Sequence, residues 1–153
     1  MKPEFNKTYK GMRCRVCLIR EDTKGEPIPI LQQTDVYELV KDELTNSDRE
    51  VFLSVMLTSR NHLIGVETVS IGSVNSAVLS PGEVFKGALL ANAVSIILCH
   101  NHPSGDLSPS EEDIRITKRL IEVGELLGVK VLDHLIVSDQ GCSTLRDHIK
   151  FPE

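Results

Sequence analysis

Two histidines, His100 and His102, stand two residues apart in the run His100-Asn101-His102-Pro103-Ser104-Gly105, and Ser110 and Asp113 follow close behind. Two imidazoles, one carboxylate and an open fourth position form the ligand set of a catalytic zinc ion. The elements around them must bring these groups together. Residues 94–99 read Val-Ser-Ile-Ile-Leu-Cys, almost wholly apolar and rich in β-branched side chains, which predicts a buried strand. In an extended chain residues i and i+2 point the same way, so His100 and His102 can face one ion if the strand runs on through them. Ser108-Pro109-Ser110-Glu111 has the form of a capping box with proline at the first helical position, which predicts a helix from about Pro109. Ser110 and Asp113, three apart, then share a face of that helix.

Zinc held by two neutral imidazoles and one carboxylate keeps a net positive charge, which lowers the pKa of a bound water toward about 7 and polarises a carbonyl. Such a water still needs a proton acceptor, and a carboxylate is the usual choice. Upstream, Glu50 opens an apolar stretch, Glu67 lies in a predicted strand as a solvated residue, and Glu83 fits a helix cap. Ser110 could donate its hydroxyl to a tetrahedral oxyanion, or hydrogen-bond locally in the first helical turn. Asn101, Ser104 and Gly105 are expected to shape the turn after the strand, with Asp106 a solvated loop charge. Asp133 and His134 read as a satisfied structural pair, with orientation of a ligand as the other reading. His62 and His148 read as turn and surface residues.

The chain has 153 residues, enough for one domain with a single core. Hydrophobic residues make up 41% and charged residues 25%, which suits a globular protein. No apolar run approaches the roughly 20 residues of a membrane span, and the N-terminus lacks the apolar core of a signal peptide, so a cytoplasmic location is the default expectation. A net charge of −5 and an aromatic content of 4% argue against a free-standing nucleic-acid platform, which would be basic or offer stacking surfaces. Cys14 and Cys17 have the spacing of half a zinc ribbon, but the alternation around them is that of a strand, on which i and i+3 diverge. With Cys99 and Cys142 single, free thiols in a reducing compartment are expected.

Elsewhere the pattern predicts a loose tail over residues 1–10, a strand near 12–20, and a turn-rich stretch over 21–27. Ile28-Pro29-Ile30 reads as an edge segment. Thr34 caps a helix with Val36, Leu39, Val40 and Leu44 on its apolar stripe. Strands over 50–57 and 62–71 form a hairpin about Ser59-Arg60-Asn61, followed by a loop over 72–76. Ser80-Pro81-Gly82-Glu83 opens a helix through about Asn92. The helix carrying Asp113 turns Ile116, Leu120, Val123 and Leu127 inward and stops at Gly128. Residues 129–138 form a last strand. The simplest architecture is α/β, one mixed β-sheet flanked by helices.

His100-x-His102, seven residues, Ser110, two residues, Asp113 resembles the JAMM motif of the JAB/MPN metalloprotease superfamily. His100-Asn-His-Pro-Ser-Gly-Asp106, Pro109-Ser-Glu-Glu-Asp113, Leu132-Asp-His134, Glu50-Val-Phe52 and Ser80-Pro-Gly-Glu-Val-Phe-Lys86 are similar to its RadC-like branch, over about residues 29–150. The resemblance implies a cytidine-deaminase-like MPN/JAB fold, one zinc ion, and hydrolysis of amide or isopeptide bonds. It divides the chain into an N-terminal tail and first strand over 1–28 and a RadC-like JAB/MPN domain over 29–153, all one compact unit. Residue by residue it implies His100, His102 and Asp113 as ligands, Glu50 as general base and Ser110 as oxyanion donor. Gly82 stands where this branch often has arginine, and Thr58 where aspartate is common. Full-length members usually carry an N-terminal helical DNA-binding-type region, for which this chain leaves no room.

The expected function is therefore that of a zinc-dependent hydrolase, a metallopeptidase or isopeptidase using zinc-activated water, with a peptide or isopeptide as substrate. A nucleic-acid-linked, DNA-repair-associated protein is the alternative that the RadC resemblance brings, without support from charge. A non-catalytic MPN interaction module is a further alternative, set against the full ligand set here. A zinc deaminase is disfavoured, since no His-x-Glu precedes a Pro-Cys-x-x-Cys.

Overall fold

A computed structural model describes residues 16–19, 25–72 and 79–153. The elements run α1 (Gln33–Thr45), β1 (Glu50–Leu57), β2 (Leu63–Gly72), α2 (Pro81–Leu90), β3 (Ser95–Asn101), α3 (Glu111–Leu127), β4 (Lys130–Ser138), β5 (Gly141–Thr144) and a 3-10 turn over Leu145–Asp147. The strands form one sheet in the order β2-β1-β3-β4-β5. Among the described strands the β3/β4 pair is parallel, with α3 as the crossover between them, and the β1/β2, β1/β3 and β4/β5 pairs are antiparallel.

The two central strands are covered on both faces, which is why they read as nearly continuous apolar runs. On one face Phe52, Met56, Ile96, Leu98, Val131 and Ile136 pack against Val84, Phe85 and Ala88 of α2 and Ile116 and Leu120 of α3. On the other, Val51, Leu53, Val55, Leu57, Ile97, Cys99, Leu135 and Val137 pack against Val36, Val40 and Leu44 of α1. The sheet is thus sandwiched between helices, the expected α/β architecture. No helix among the described residues is long and apolar enough to cross a membrane.

Several local expectations need correction. Residues 16–19 form no strand, and Val16 and Ile19 are exposed; the rest of the strand expected near 12–20, Cys14 included, lies outside the described residues. Helix α1 is capped at Gln32 rather than Thr34, because the Asp35 carboxylate accepts the backbone N–H groups of Leu31 and Gln32 at 2.9 and 3.0 Å. Helix α3 starts at Glu111, two residues later than expected. Two overlapping capping patterns compete there, and Ser110 with Asp113 displaces Ser108 with Glu111: Ser110 Oγ accepts the Asp113 N–H at 3.0 Å and the Asp113 carboxylate accepts the Ser110 N–H at 2.8 Å. Leu127 is exposed, and Thr117 and Gly124 take inward positions instead. The short strand β5 was not anticipated; the loop over 72–76 falls almost wholly outside the described residues.

Candidate metal centre

The site forms where the C-terminal end of β3 meets the N-terminus of α3. Strand β3 ends at Asn101, so His102 lies just past it, and Gly105 at φ +77° lets the chain turn back. Residues His100, His102 and Asp113 converge: His100 Nε2 lies 3.0 Å from His102 Nε2 and 3.3 Å from Asp113 Oδ1, and His102 Nε2 lies 3.1 Å from Asp113 Oδ2. Tetrahedral donors about 2.0–2.1 Å from a metal are separated by about 3.3–3.4 Å. The two imidazole nitrogens and the two oxygens of one carboxylate thus crowd around a common point at distances of that order, one donor atom from each residue lies within 4.8 Å of the others, and the group can hold a metal ion.

Hydrogen bonding fixes which nitrogen of His102 faces that point. Its Nδ1 lies 2.8 Å from the Asp106 carbonyl, which can only accept, so Nδ1 carries the hydrogen and, in the neutral ring, Nε2 presents a lone pair. The Asp106 carboxylate in turn accepts the Ser108 N–H at 2.9 Å, which holds the loop. Asp106 is thus a loop organiser acting through both its carbonyl and its carboxylate rather than only a solvated charge.

His100 is fully buried, its ring stacked on Phe52 at 6.1 Å, and its Nδ1 lies 2.8 Å from Nε2 of His134. His134 Nδ1 lies 2.6 Å from Thr117 Oγ1, and that hydroxyl lies 2.6 Å from the Asp113 carbonyl. A β-bulge brings His134 here. Ile96 pairs with Val131, but Ile97 pairs with Asp133, so Leu132 is the extra residue and His134 shares the face of Leu98 and His100. Asp133 consequently faces α1, where its carboxylate accepts from the Thr144 hydroxyl and from the backbone N–H of His134. Asp133 and His134 are therefore not a side-chain pair.

Electrostatics follow from these contacts. Burial pushes the Asp113 carboxyl up, but a hydrogen on the Nε2 of His100 or His102 bonds the carboxylate, outweighs burial and holds the group well below the carboxylate range; the neutral Nδ1–H rings lack that hydrogen and turn lone pairs toward it instead. The Asp113 hydrogen bond raises the His102 pKa above 6.5, burial opposes it, and the Asp106 carbonyl and the charge of Glu50 add to the rise. Burial drives His134 well below 6.5.

Glu50 opens β1 on the sheet face of Phe52, and the β1/β3 register that pairs Phe52 with His100 runs out toward His102. The Asn101 side chain brackets it: Oδ1 accepts the Val51 N–H at 2.7 Å and Nδ2 donates to the Arg49 carbonyl at 2.9 Å. Asn101 thus clamps the start of β1 rather than shaping the turn. Ser110 is the N-cap beside Asp113; its Oγ accepts through a lone pair, which does not consume the hydroxyl hydrogen. Glu67 is not the solvated residue expected: its carboxyl packs over Gly87 of α2, one oxygen is buried without a hydrogen bond, and burial raises its pKa. Sequence reasoning missed Thr117, although an i+4 hydroxyl after Asp113 is a readable signal.

A mixed sheet between helices, with two histidines and an aspartate gathered at one end of its parallel pair, defines a JAB-type α/β domain. The sequence profile of the RadC-like JAB domain matches residues 30–150, and the chain belongs to that family. It is 50% identical over 117 residues to a UPF0758 protein of Caldanaerobacter subterraneus, covering 76% of this chain and 50% of the relative. A UPF0758 protein of Desulforamulus reducens is 51% identical over 112 residues, 73% of this chain and 49% of its own. One from Desulfitobacterium hafniense is 42% identical over 150 residues, 91% of this chain and 66% of its own. The chain spans about half the length of the first two of these relatives.

Proposed function

We propose that this domain is a zinc-dependent hydrolase of amide bonds, a metallopeptidase or isopeptidase, with His100, His102 and Asp113 as ligands, Glu50 as general base and Ser110 as oxyanion donor. The observation that carries the reading is the convergence of two imidazole nitrogens and one carboxylate on a single point at the end of β3, with one donor atom from each residue within 4.8 Å of the others. Two imidazoles and one carboxylate suit zinc and leave a position for solvent or substrate. Bound there, zinc supplies Lewis acidity and acidifies a water.

The chain's own groups account for the remaining work. Glu50, held from both sides by Asn101, takes up a proton and returns it to the leaving amine. Ser110 directs its hydroxyl hydrogen to the developing oxyanion, a contribution of about 10²–10³ in turnover. Phe52 fixes the plane of the His100 ring and keeps water from its inner face.

Metal content of the purified chain, followed by a screen of peptide, isopeptide and nucleic-acid substrates, tests the reading. Glu50→Gln is expected to keep stoichiometric zinc and lose at least 100-fold in turnover. A Glu50→Gln chain that sheds its zinc would end the general-base role, and cleavage of DNA with peptides untouched would end the peptidase reading.

A further inference from the structure

We infer that His134 and Thr117 are positioning residues, forming a one-way hydrogen-bond chain that fixes His100 as the Nδ1–H tautomer and so turns its Nε2 lone pair into the metal centre. The inference rests on the proposed metal centre for its consequence, but its geometry stands on its own.

The direction of the chain follows from its far end. The Asp113 carbonyl has no hydrogen, yet Thr117 Oγ1 approaches it to 2.6 Å, so the hydroxyl hydrogen must lie between them. With its only hydrogen committed, Thr117 Oγ1 can meet His134 Nδ1, also 2.6 Å away, only by accepting. His134 therefore carries its hydrogen on Nδ1 and presents a bare Nε2. That atom lies 2.8 Å from His100 Nδ1, which must then be the donor. His100 Nε2 is left without a hydrogen, facing the His102 and Asp113 donors. The reverse polarity would put a hydrogen on His100 Nε2, pointing into the site and blocking coordination.

Each link is supplied by a specific feature. Thr117 lies one turn after Asp113 on α3, so the same turn that carries one ligand sets the tautomer of another. The bulge at Leu132 makes His134 rather than Asp133 face His100. All of His100, His134 and Thr117 are buried at 1% exposure or less, so no water competes for these bonds. The β3 and α3 ligands are thereby tied together from behind through a residue of β4.

Two measurements on the same proteins test this. Imidazole ¹⁵N shifts of the zinc-free chain at pH 8 report the tautomer of His100, and competition with a chromophoric chelator reports zinc affinity. The wild type is expected to show a protonated His100 Nδ1. Thr117→Val should shift that equilibrium and weaken zinc binding by about 10–100-fold, the usual effect of losing a partner of a metal-bound histidine, whereas Thr117→Ser should retain both properties. His134→Asn, which keeps a donor toward Thr117 but removes the acceptor for His100, should repeat the loss. A purely structural role would lower stability in Thr117→Val without moving the tautomer signal. A wild-type His100 protonated on Nε2, or an unchanged tautomer and zinc affinity in Thr117→Val, overturns the inference. A wild type that binds no zinc while showing the Nδ1–H tautomer overturns the proposed metal centre and leaves the chain of bonds standing.

Discussion

His102→Ala separates the metal from the fold, because His102 sits at the rim of the site while His100 is built into the core. The His102 side chain keeps 13% of its surface exposed against 1% for His100. Without metal, the substitution removes mainly the bond to Asp113. That pair is worth about 1 kcal/mol at a partly solvated position. The His102 pKa is raised in the folded chain, so this stabilisation is full below 6.5 and is lost as pH rises through the raised value. With chelator, His102→Ala should thus unfold a few degrees below the wild type at pH 5.5, and the gap should narrow as pH rises through the raised value.

Zinc changes the comparison. At a free concentration 100 times Kd, ligand linkage stabilises the wild type by about 2.7 kcal/mol, or roughly 5–11 °C at about 2–4 °C per kcal/mol for a domain of this size. Four-ligand zinc sites bind with about 10–16 kcal/mol, so each ligand carries about 3 kcal/mol and its loss raises Kd more than 100-fold. The same zinc concentration then stabilises His102→Ala by less than about 0.4 kcal/mol, under 2 °C. Differential scanning calorimetry with zinc, then with chelator, measures both arms. His148→Ala, at an exposed position, controls for zinc held by surface imidazoles. A zinc-induced shift in His102→Ala equal to that of the wild type would refute the reasoning.

Three other outcomes are expected. Asn101→Ala removes both bonds that bracket Glu50, so turnover should fall more than 10-fold while zinc content stays near one per chain; loss of zinc with it would place Asn101 in ligand support instead. Gly124→Ala should destabilise by about 1–3 kcal/mol in denaturant titrations, since a Cβ there would meet the Val129 carbonyl oxygen at 2.5 Å, a backbone atom that cannot swing aside; a neutral or stabilised variant would mean that α3 can slide. Glu67→Gln should raise the melting temperature at pH 7 and lose that advantage below about pH 4.5, because burial raises the carboxyl pKa and a raised acid stabilises the fold only while protonated; a gain at low pH alone would contradict the sign.

The residues that carry the site were legible because their spacing matches element geometry. An i,i+2 pair at a strand end and a carboxylate three residues into a helix converge in any arrangement that packs the helix onto the strand. In β3 the face of the site was readable because the β3 pairings with β1 and β4 run without a shift from Ile97 to His100, so His100 and Leu98 keep their period of two. It was not readable for β4. Counting by twos from Val131 would put Asp133 toward the site and His134 away from it, and the bulge at Leu132 reverses both. A bulge depends on how two strands fit, not on the composition of either, so no single-strand pattern announces it. The start of α3 failed differently. Two capping patterns overlapped by two residues, and the one that won has an aspartate at N3 whose carboxylate is also drawn toward two imidazoles. Tertiary context chose between equally good local signals. Asn101 was misread as a turn residue because its partners, Arg49 and Val51, lie some 50 residues away.

The same polar groups explain why the site does not undermine the core that holds it. His100, Asn101, Asp113, Thr117 and His134 are all buried, and each has a hydrogen-bond partner among the described residues. A buried polar group without a partner costs about 1–3 kcal/mol, so removing one member of this network strands its neighbours as well. One pair over, the facing residues Ser54 and Glu67 each bury an oxygen with no hydrogen bond. Truncation should therefore act in opposite senses on the two sides of Phe52. Replacing Glu67 relieves a cost, whereas replacing His134 by leucine leaves both His100 Nδ1 and Thr117 Oγ1 without their imidazole partner. The fold tolerates imidazoles at its centre because they are connected, and that connection runs through the ligands rather than around them.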